Sequence, residues 1–245
     1  MLEIRGDTVL AGTRYADAVL LACGLPVAAW QFREGDRMLA GSVAGTLAGS
    51  LRSMLLAERT LLNFLQRACG IATMTRHYVD AVAHTGARIL HTRKTAPGLR
   101  LFDVDAVRAG GGGVHRVDLA RTVMVKDNHW RALAQGGRSL AEALAQAREL
   151  GVLELYVEVE SLGQVDEACD AGATRILIDN QTPATVANWG ARARSRRQGI
   201  EIEATGGITL ENVARYAQAA ADFISIGALT HSVVAADVSL ELSEG

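Results

Sequence analysis

Lysine is almost absent from this sequence: only Lys94 and Lys126 occur among 245 residues, against twenty-three arginines. An arginine-rich composition exchanges surface lysine for arginine at little cost, so lysine is retained where a compact ammonium on a flexible stem is needed. Both lysines follow apolar stretches and have several polar neighbours, in residues 91–95 and 125–129. The sequence therefore predicts functional roles for both lysines.

Cysteine and long apolar runs are also scarce. Cys23, Cys69 and Cys169 are widely spaced and fit neither a metal motif nor a disulfide framework, which indicates a reducing cytoplasm. The most apolar stretch, residues 19–30, is short and contains Pro26, so no membrane span is expected, and the start does not resemble a secretory signal. The net charge of −2 provides no basic surplus for nucleic acid. We expect a cytoplasmic protein with neither nucleic acid nor membrane as a partner.

Short runs of β-forming residues recur at residues 88–90, 122–125, 155–159, 175–178, 200–202 and 223–226. Helical segments separate several of them: Ser139 and Ser161 begin capping-box patterns, and Pro183 after Thr182 suits the first position of a helix. Alternating strands and helices predict a parallel sheet, either closed as an α/β barrel or open as a doubly wound sheet. No Gly-x-Gly-x-x-Gly follows a first strand, so the barrel is favoured.

The first fifty residues differ, because short apolar runs alternate there with Gly and Asp turns, which predicts short strands and one helix. A long helix is expected from Leu51 to about Ala68. Gly70 is expected to interrupt it before a second helical stretch through residues 78–82. The order of elements along the chain therefore changes near residue 65.

Polar residues and glycines follow the predicted strands, where a barrel carries its chemistry. The earlier strands and loops carry cations, which suit a substrate with carboxylates because arginine can form two parallel hydrogen bonds to a carboxylate. Acids come next and suit a metal ion or ribose hydroxyls. Residues 205–207 and 225–228 match glycine-containing loops that hold phosphate. The cations are Arg93, Lys94, Arg100, Arg108, His115, Arg116 and Lys126, and the acids are Glu158, Glu160, Asp179 and Glu203.

Several motifs resemble those of the quinolinate phosphoribosyltransferase family, from about residue 11 to residue 239: residues 92–100, 106–112 with His115-Arg116, 126–129, 157–160, 178–180, 203–208 and 225–231. The resemblance implies an α/β fold, with an incomplete barrel of about seven strands over residues 65–231. It also implies an N-terminal α/β sandwich domain over residues 1–64, truncated relative to the family and joined by residues 232–245. A homodimer is expected.

The same resemblance implies a reaction of quinolinate with phosphoribosyl pyrophosphate, with Mg²⁺ as cofactor, that gives nicotinate mononucleotide, pyrophosphate and CO₂ in de novo NAD biosynthesis. Family positions assign the quinolinate carboxylates to Arg93, His115, Arg116 and Lys126, with Arg59 reaching the pocket from the partner subunit. Lys94 is expected to contact the phosphoribosyl donor, Glu158 and Asp179 its ribose hydroxyls and the metal, and Thr205, Gly206, Gly227 and His231 its 5′-phosphate. Lys94, Lys126, Glu158 and Asp179 are the expected catalytic residues.

One departure from the family bears on the substrate: Val104-Asp105 stands where the family usually has a Lys-Tyr pair, which places an acid near the cationic loop. Thr205 replaces the usual serine, a mild chemical change. Val104-Asp105 leaves open a related phosphoribosyltransferase for another pyridine or azole carboxylate. Two other classes also stay open: an aldolase-type barrel that forms a Schiff base on Lys126, and a non-catalytic phosphate-binding paralogue.

Overall fold

A computed structural model describes residues 1–116 and 121–242 of the chain. The strands are β1 Leu2–Ile4, β2 Thr8–Val9, β3 Ala29–Trp30, β4 Arg37–Met38, β5 Val43–Thr46, β6 Arg88–His91, β7 Thr122–Val125, β8 Glu154–Val159, β9 Arg175–Asp179, β10 Glu201–Thr205, β11 Phe223–Ile226 and β12 Val238–Leu240. The helices are α1 Thr13–Ala22, α2 Leu51–Val82, α3 Arg100–Ala109, α4 Asp127–Gln135, α5 Leu140–Glu149, α6 Leu162–Asp170, α7 Pro183–Arg196, α8 Val213–Gln218 and α9 Ala228–His231.

The chain forms two compact units. The first contains Met1–Val79, Lys94–Val114 and the chain from Gly227 onward, and the second contains Asp80–Arg93 and His115–Ile226. The predicted domain boundaries at residues 64 and 231 stay predictions. Among the described residues, none of the helices combines the length and the apolar composition needed to cross a bilayer.

The first unit contains an antiparallel sheet in the order β12-β1-β5-β3, with β2 and β4 as a separate pair. Its core combines apolar residues of β1 and α1 with residues of the first half of α2, including Leu2, Leu20 and Leu65, each at most 1% exposed. Sheet and helices in one unit agree with the expected α/β sandwich.

Helix α2 is continuous from Leu51 to Val82, so the predicted interruption at Gly70 is wrong. A glycine costs an exposed helix only about 1 kcal/mol, which packing readily offsets. Gly70 instead allows a close approach: a Cβ there would lie 2.2 Å from the carbonyl oxygen of Val234. The chain after α9 therefore packs directly on this turn of α2, and Ala236 N donates to Gln66 O at 2.9 Å.

The second unit contains a parallel sheet in the order β6-β11-β10-β9-β8-β7. Each predicted β-rich run overlaps one of these strands, and the bounds predicted for residues 122–125 and 223–226 agree with β7 and β11. The described residues supply six strands of the expected incomplete α/β barrel, with β6 and β7 at the two edges.

The predicted helix starts are confirmed. Ser139 and Glu142 form the capping box of α5, and Ser161 accepts a hydrogen bond from Gln164 N at the start of α6. Thr182 caps α7, and Pro183 occupies its first turn. These local signals fix where each crossover helix begins, and so where each strand's carboxyl end meets the following loop.

Candidate active site at the carboxyl ends of the parallel strands

The register of the parallel sheet separates an apolar face from a polar one. Residues paired across neighbouring strands point to the same side, and residues two apart on one strand do so as well. Glu158 and Glu203 both pair with Leu177, and Thr205 pairs with Asp179 and Ser225. These polar side chains therefore share one face. The alternating positions, such as Val157, Ile176, Ile202 and Ile224, are apolar and completely buried.

Lys126 and Glu158 form an ion pair at the ends of β7 and β8. Glu158 is 11% exposed at its side chain and Lys126 is 43% exposed, so the pair lies at the rim of the polar face. His129 accepts a hydrogen bond at Nδ1 from Lys126 N (3.0 Å), and Trp130 Nε1 donates to Glu158 O (2.9 Å). The first turn of α4 thus fixes the backbones of both partners.

Arg93 and Arg116 bring two guanidinium groups near one another. Burial lowers the pKa of Arg116, and the positive charge of Arg93 lowers it further, while Glu158 and Glu203 oppose the shift. The Nε atom of Arg93 is buried and has no hydrogen-bond partner among the described residues. Two cations held together in this way favour a ligand with negative charge.

Glu203 is the most buried acid of the polar face, with a side chain 1% exposed. It accepts hydrogen bonds from Ser225 Oγ at 2.6 Å and Arg175 Nη1 at 3.1 Å, and it contacts His115 Nε2 at 3.2 Å. Burial opposes its ionisation, but the hydrogen bonds from His115 and Ser225 and the charge of Arg175 lower the pKa of Glu203 overall. The Arg175 guanidinium in turn lies over the rings of Phe223 and Tyr156, at 3.8 and 4.4 Å from their centroids.

The loops that follow β9 and β10 contact each other and carry small residues: Asn180 follows β9, and Gly206-Gly207 follows β10. Asn180 adopts a left-handed backbone (φ 53°), donates from Nδ2 to Asp179 Oδ2 at 2.6 Å, and donates its backbone N–H to Thr205 O at 2.9 Å. A Cβ on Gly206 would lie 2.3 Å from Asn180 Oδ1, and its φ of +83° also favours glycine. Gly207 also has a positive φ (+61°), and its Cβ position has no atom within 4 Å, so it leaves backbone open at the carboxyl end of β10.

The remaining predicted residues belong to the first unit. Lys94 and His231 are exposed, and Gly227 O accepts hydrogen bonds from Thr230 N and His231 N at 3.1 and 3.2 Å. Thr230 Oγ1 donates to Lys94 O at 2.8 Å, so the backbone at Lys94 is tied to α9. Arg59 lies exposed on α2.

The departure at Val104-Asp105 has its own contacts within the first unit. Val104 is 1% exposed and packs in the core. Asp105 pairs with Arg14, accepts from Tyr15 OH at 2.6 Å and lies 3.5 Å from Arg108 Nη1. Asp105 and its three partners Arg14, Tyr15 and Arg108 line a cavity of about 400 Å³. The negative charge of Asp105 is thus paired with Arg14 on α1 and Arg108 on α3.

Sequence reasoning found the charged residues of this site but not the side chains that hold them. His129 and Trp130 carried a usable signal, since each lies within the first turn of a helix that begins after Lys126. Arg175 carried none, because a charged residue that opens a strand is common on exposed faces, and Ser225 was predicted only as part of the phosphate loop at residues 225–228. The register places both on the same face as Glu203, and their hydrogen bonds show that they contact it.

The fold and the site together define a class: an α/β enzyme that binds anionic substrates beyond the carboxyl ends of parallel strands. The family model for the C-terminal domain of quinolinate phosphoribosyl transferase matches residues 71–241, and the model for its N-terminal domain matches residues 2–69. The chain belongs to the quinolinate phosphoribosyltransferase family.

Individual relatives agree. A probable nicotinate-nucleotide pyrophosphorylase (carboxylating) of Bacillus subtilis is 40% identical over 213 residues, covering 86% of this chain and 71% of the relative. The corresponding protein of Mycobacterium leprae is 41% identical over 217 residues, covering 87% and 74%. The structure of nicotinate-nucleotide pyrophosphorylase from Francisella tularensis superimposes with a TM-score of 0.90 at 32% identity, covering 97% of this chain and 83% of that one.

These likenesses do not favour the alternatives left open by the sequence. An aldolase-type barrel is not favoured, because the quinolinate phosphoribosyl transferase family models match residues 2–69 and 71–241. A non-catalytic paralogue is not favoured by the names of the relatives, which are those of enzymes.

Proposed function

We propose that this protein transfers the phosphoribosyl group of phosphoribosyl pyrophosphate to quinolinate, with loss of one carboxylate as CO₂, and so makes nicotinate mononucleotide for NAD biosynthesis. The observation that carries the proposal is the group of cations around Glu158: Lys126 forms an ion pair with it, and the charges of Glu158 and Arg93 both act on the partly buried Arg116. A dicarboxylate relieves the repulsion between the two guanidiniums and is matched by their bidentate geometry. Arg93, Arg116 and Lys126 are proposed to hold the two carboxylates.

The acids at the ends of β8 and β9 suit the other half of the reaction. Departure of pyrophosphate develops positive charge at the anomeric carbon, and Glu158 and Asp179 are proposed to stabilise that charge and to bind the ribose hydroxyls. The ring nitrogen of quinolinate forms the new bond to this carbon. The resulting pyridinium accepts the electron pair left when the adjacent carboxylate departs as CO₂, and a proton then replaces it. Positioning of two anionic substrates therefore supplies much of the rate.

Phosphate groups of the donor are proposed to bind at glycine-containing turns. Thr205 and Gly206 offer a hydroxyl and open backbone, and Gly227 and His231 are proposed to contribute to the same 5′-phosphate. Lys94 is proposed to contact the donor as a mobile point charge, which is the role that distinguishes lysine from arginine.

Magnesium is the proposed cofactor. No three His, Cys, Asp or Glu side chains within residues 1–116 and 121–242 are grouped to hold a metal ion. Mg²⁺ is commonly held by one or two carboxylates together with substrate phosphates and water, and Glu158 and Asp179 fit that donor set. When bound, the ion neutralises charge on the departing pyrophosphate.

We further propose a homodimer in which Arg59 completes the site of the partner subunit. Arg59 is exposed on α2 beside Leu55 and Leu56, which are 57% and 71% exposed and favour burial by a second copy. Mixing Arg59→Ala and Lys126→Ala subunits tests it: exchange should rebuild about a quarter of the wild-type sites, because half the dimers then carry one intact site. No recovery after verified exchange would contradict a shared site. The cytoplasmic location stays a prediction from the spacing of the three thiols.

The activity is tested by incubating the protein with phosphoribosyl pyrophosphate, Mg²⁺ and a panel of pyridine acids, with nucleotide and CO₂ as readouts. Quinolinate should be consumed, and Lys126→Ala should abolish turnover. Arg131→Ala is the matched control, because Arg131 lies on the adjoining helix α4, is 71% exposed and pairs only loosely with Asp127 at 3.8 Å. Turnover of another pyridine acid in preference to quinolinate would replace the proposed substrate. Borohydride trapping of Lys126 would replace the reaction class.

A further inference from the structure

Both ring nitrogens of His115 are already used inside the protein. Nδ1 accepts a hydrogen bond from Arg116 N at 2.7 Å, so it carries no proton. The proton of the neutral ring therefore lies on Nε2, which donates to Glu203 Oε2 at 3.2 Å. The side chain is 7% exposed. No ring N–H of His115 is left for a substrate carboxylate.

The partner of that histidine is itself held from two sides. Ser225 Oγ on β11 and Arg175 Nη1 on β9 both donate to Glu203, at 2.6 and 3.1 Å. The backbone N–H of His115 donates to His91 Nε2 on β6 at 3.2 Å. Side chains from four strands of the sheet thus connect to His115, two directly (Glu203 and His91) and two through Glu203.

We infer that Glu203 and His115 are positioning residues that hold Arg116 in place for the quinolinate carboxylates. The inference rests on the proposed function and adds residues that act through Arg116 without touching the substrate. Arg116 needs such support because Arg93 repels it in the absence of a ligand, in a setting where burial strengthens the repulsion. A preorganised pair of guanidiniums binds a dicarboxylate without the loss of affinity that ordering them would cause.

Glu203→Gln tests the acceptor. His115 and Arg175 share Oε2 of the carboxylate, and a neutral amide oxygen removes the charge that strengthens both bonds. The NH₂ of the amide then faces Ser225 Oγ, whose hydroxyl must turn to accept. We expect the KM for quinolinate to rise about 10- to 100-fold. The KM for phosphoribosyl pyrophosphate should stay within about twofold.

Glu201→Gln is the matched control. Glu201 lies on the same strand and pairs with the same arginine, Arg175, at 2.8 Å, but its side chain is 44% exposed and it does not contact His115. Both KM values should stay within about twofold of wild type, because an exposed pair contributes little.

Variants of His115 separate positioning from direct binding and remain informative if Glu203→Gln fails to fold. In His115→Asn the side-chain oxygen can replace Nδ1, and in His115→Gln the amide can replace Nε2. Each should retain part of the quinolinate affinity, and His115→Phe should retain least. In wild-type protein, ¹⁵N NMR should show Nδ1 unprotonated and Nε2 protonated, both before and after quinolinate is added.

Three results would overturn the inference: an unchanged quinolinate KM in Glu203→Gln, an equal rise in Glu201→Gln, or a proton on Nδ1 of His115. Each of these results is compared with the same measurement on wild-type protein that has been shown to consume quinolinate. If the wild-type protein does not do so, the proposed function fails first, and the tautomer measured by NMR still reports on the network.

Discussion

Replacing Asp103 by asparagine should destabilise the protein strongly, although the side chain changes by one atom. Asp103 is completely buried on α3. It accepts hydrogen bonds from Arg67 Nε at 3.0 Å, Arg67 Nη2 at 2.9 Å and Ala96 N at 3.0 Å. The new amide would place its NH₂ against a donor of Arg67 and remove the charge that compensates the guanidinium.

The expected magnitude follows from these contacts. A buried donor left without an acceptor costs about 1–3 kcal/mol, and breaking a buried ion pair costs about 3–5 kcal/mol. Arg67 is 30% exposed, so water recovers part of the loss. We therefore expect the free energy of unfolding to fall by about 3 kcal/mol, measured by urea titration followed by circular dichroism.

Asp105→Asn provides the comparison. Asp105 lies two positions further along α3 and pairs with Arg14, which is 65% exposed. An exposed pair contributes at most about 1 kcal/mol, and an asparagine oxygen can still accept from Tyr15. If Asp103→Asn costs no more than Asp105→Asn, burial of the Arg67 pair does not determine its contribution, and the reasoning is refuted.

Three further predictions concern the site. Lys126→Arg should lower kcat/KM for quinolinate by at least about tenfold, because a planar fork cannot replace the ammonium that reaches Glu158; steady-state kinetics would measure it, and wild-type activity would contradict the role inferred from lysine scarcity. Gly206→Ala should raise the KM for phosphoribosyl pyrophosphate while Gly199→Ala, at another positive φ but with open space around it, should not; equal effects would show that strain alone is responsible. Because the pKa of Glu203 is lowered in the folded protein, its carboxylate stabilises the fold at pH values above its ordinary pKa of 4.5, and this stabilisation is lost as the pH falls below 4.5. Urea titrations across that pH range should show a smaller loss of unfolding free energy in Glu203→Gln than in wild type. Parallel pH profiles for the two proteins would contradict the lowered pKa.

Sequence patterns predicted the elements whose signals are local. The strand at Thr122–Val125 and the helix starts at Ser139 and Thr182 depend on a few neighbouring residues, and all were confirmed. Gly70 was misjudged because its reason lies far along the chain, at the carbonyl of Val234. A glycine needed for close approach and a glycine that ends a helix look alike in sequence.

The same distinction applies to the site. Lys126, Glu158 and Asp179 could be predicted as site residues because each follows or ends a recognisable strand, and strand ends converge in a parallel sheet. The pairing of Arg67 with Asp103, 36 positions apart, has no local signal. The use of both His115 nitrogens was equally hidden, because the sequence shows which groups can bond and not which of them have already done so.

Strand β12 pairs with β1 in the register Leu2↔Leu240, and Arg5 Nε donates to Ser239 Oγ, 234 positions along the chain. During synthesis the sheet of the first unit therefore cannot be completed until β12 has been made. In the parallel sheet most strands pair with the next strand in sequence, so that sheet can assemble earlier. Before β12 is made, one side of β1 presents unpaired backbone N–H and C=O groups. The nascent chain is thus exposed to strand pairing with other molecules at this edge until Val238–Leu240 has been synthesised.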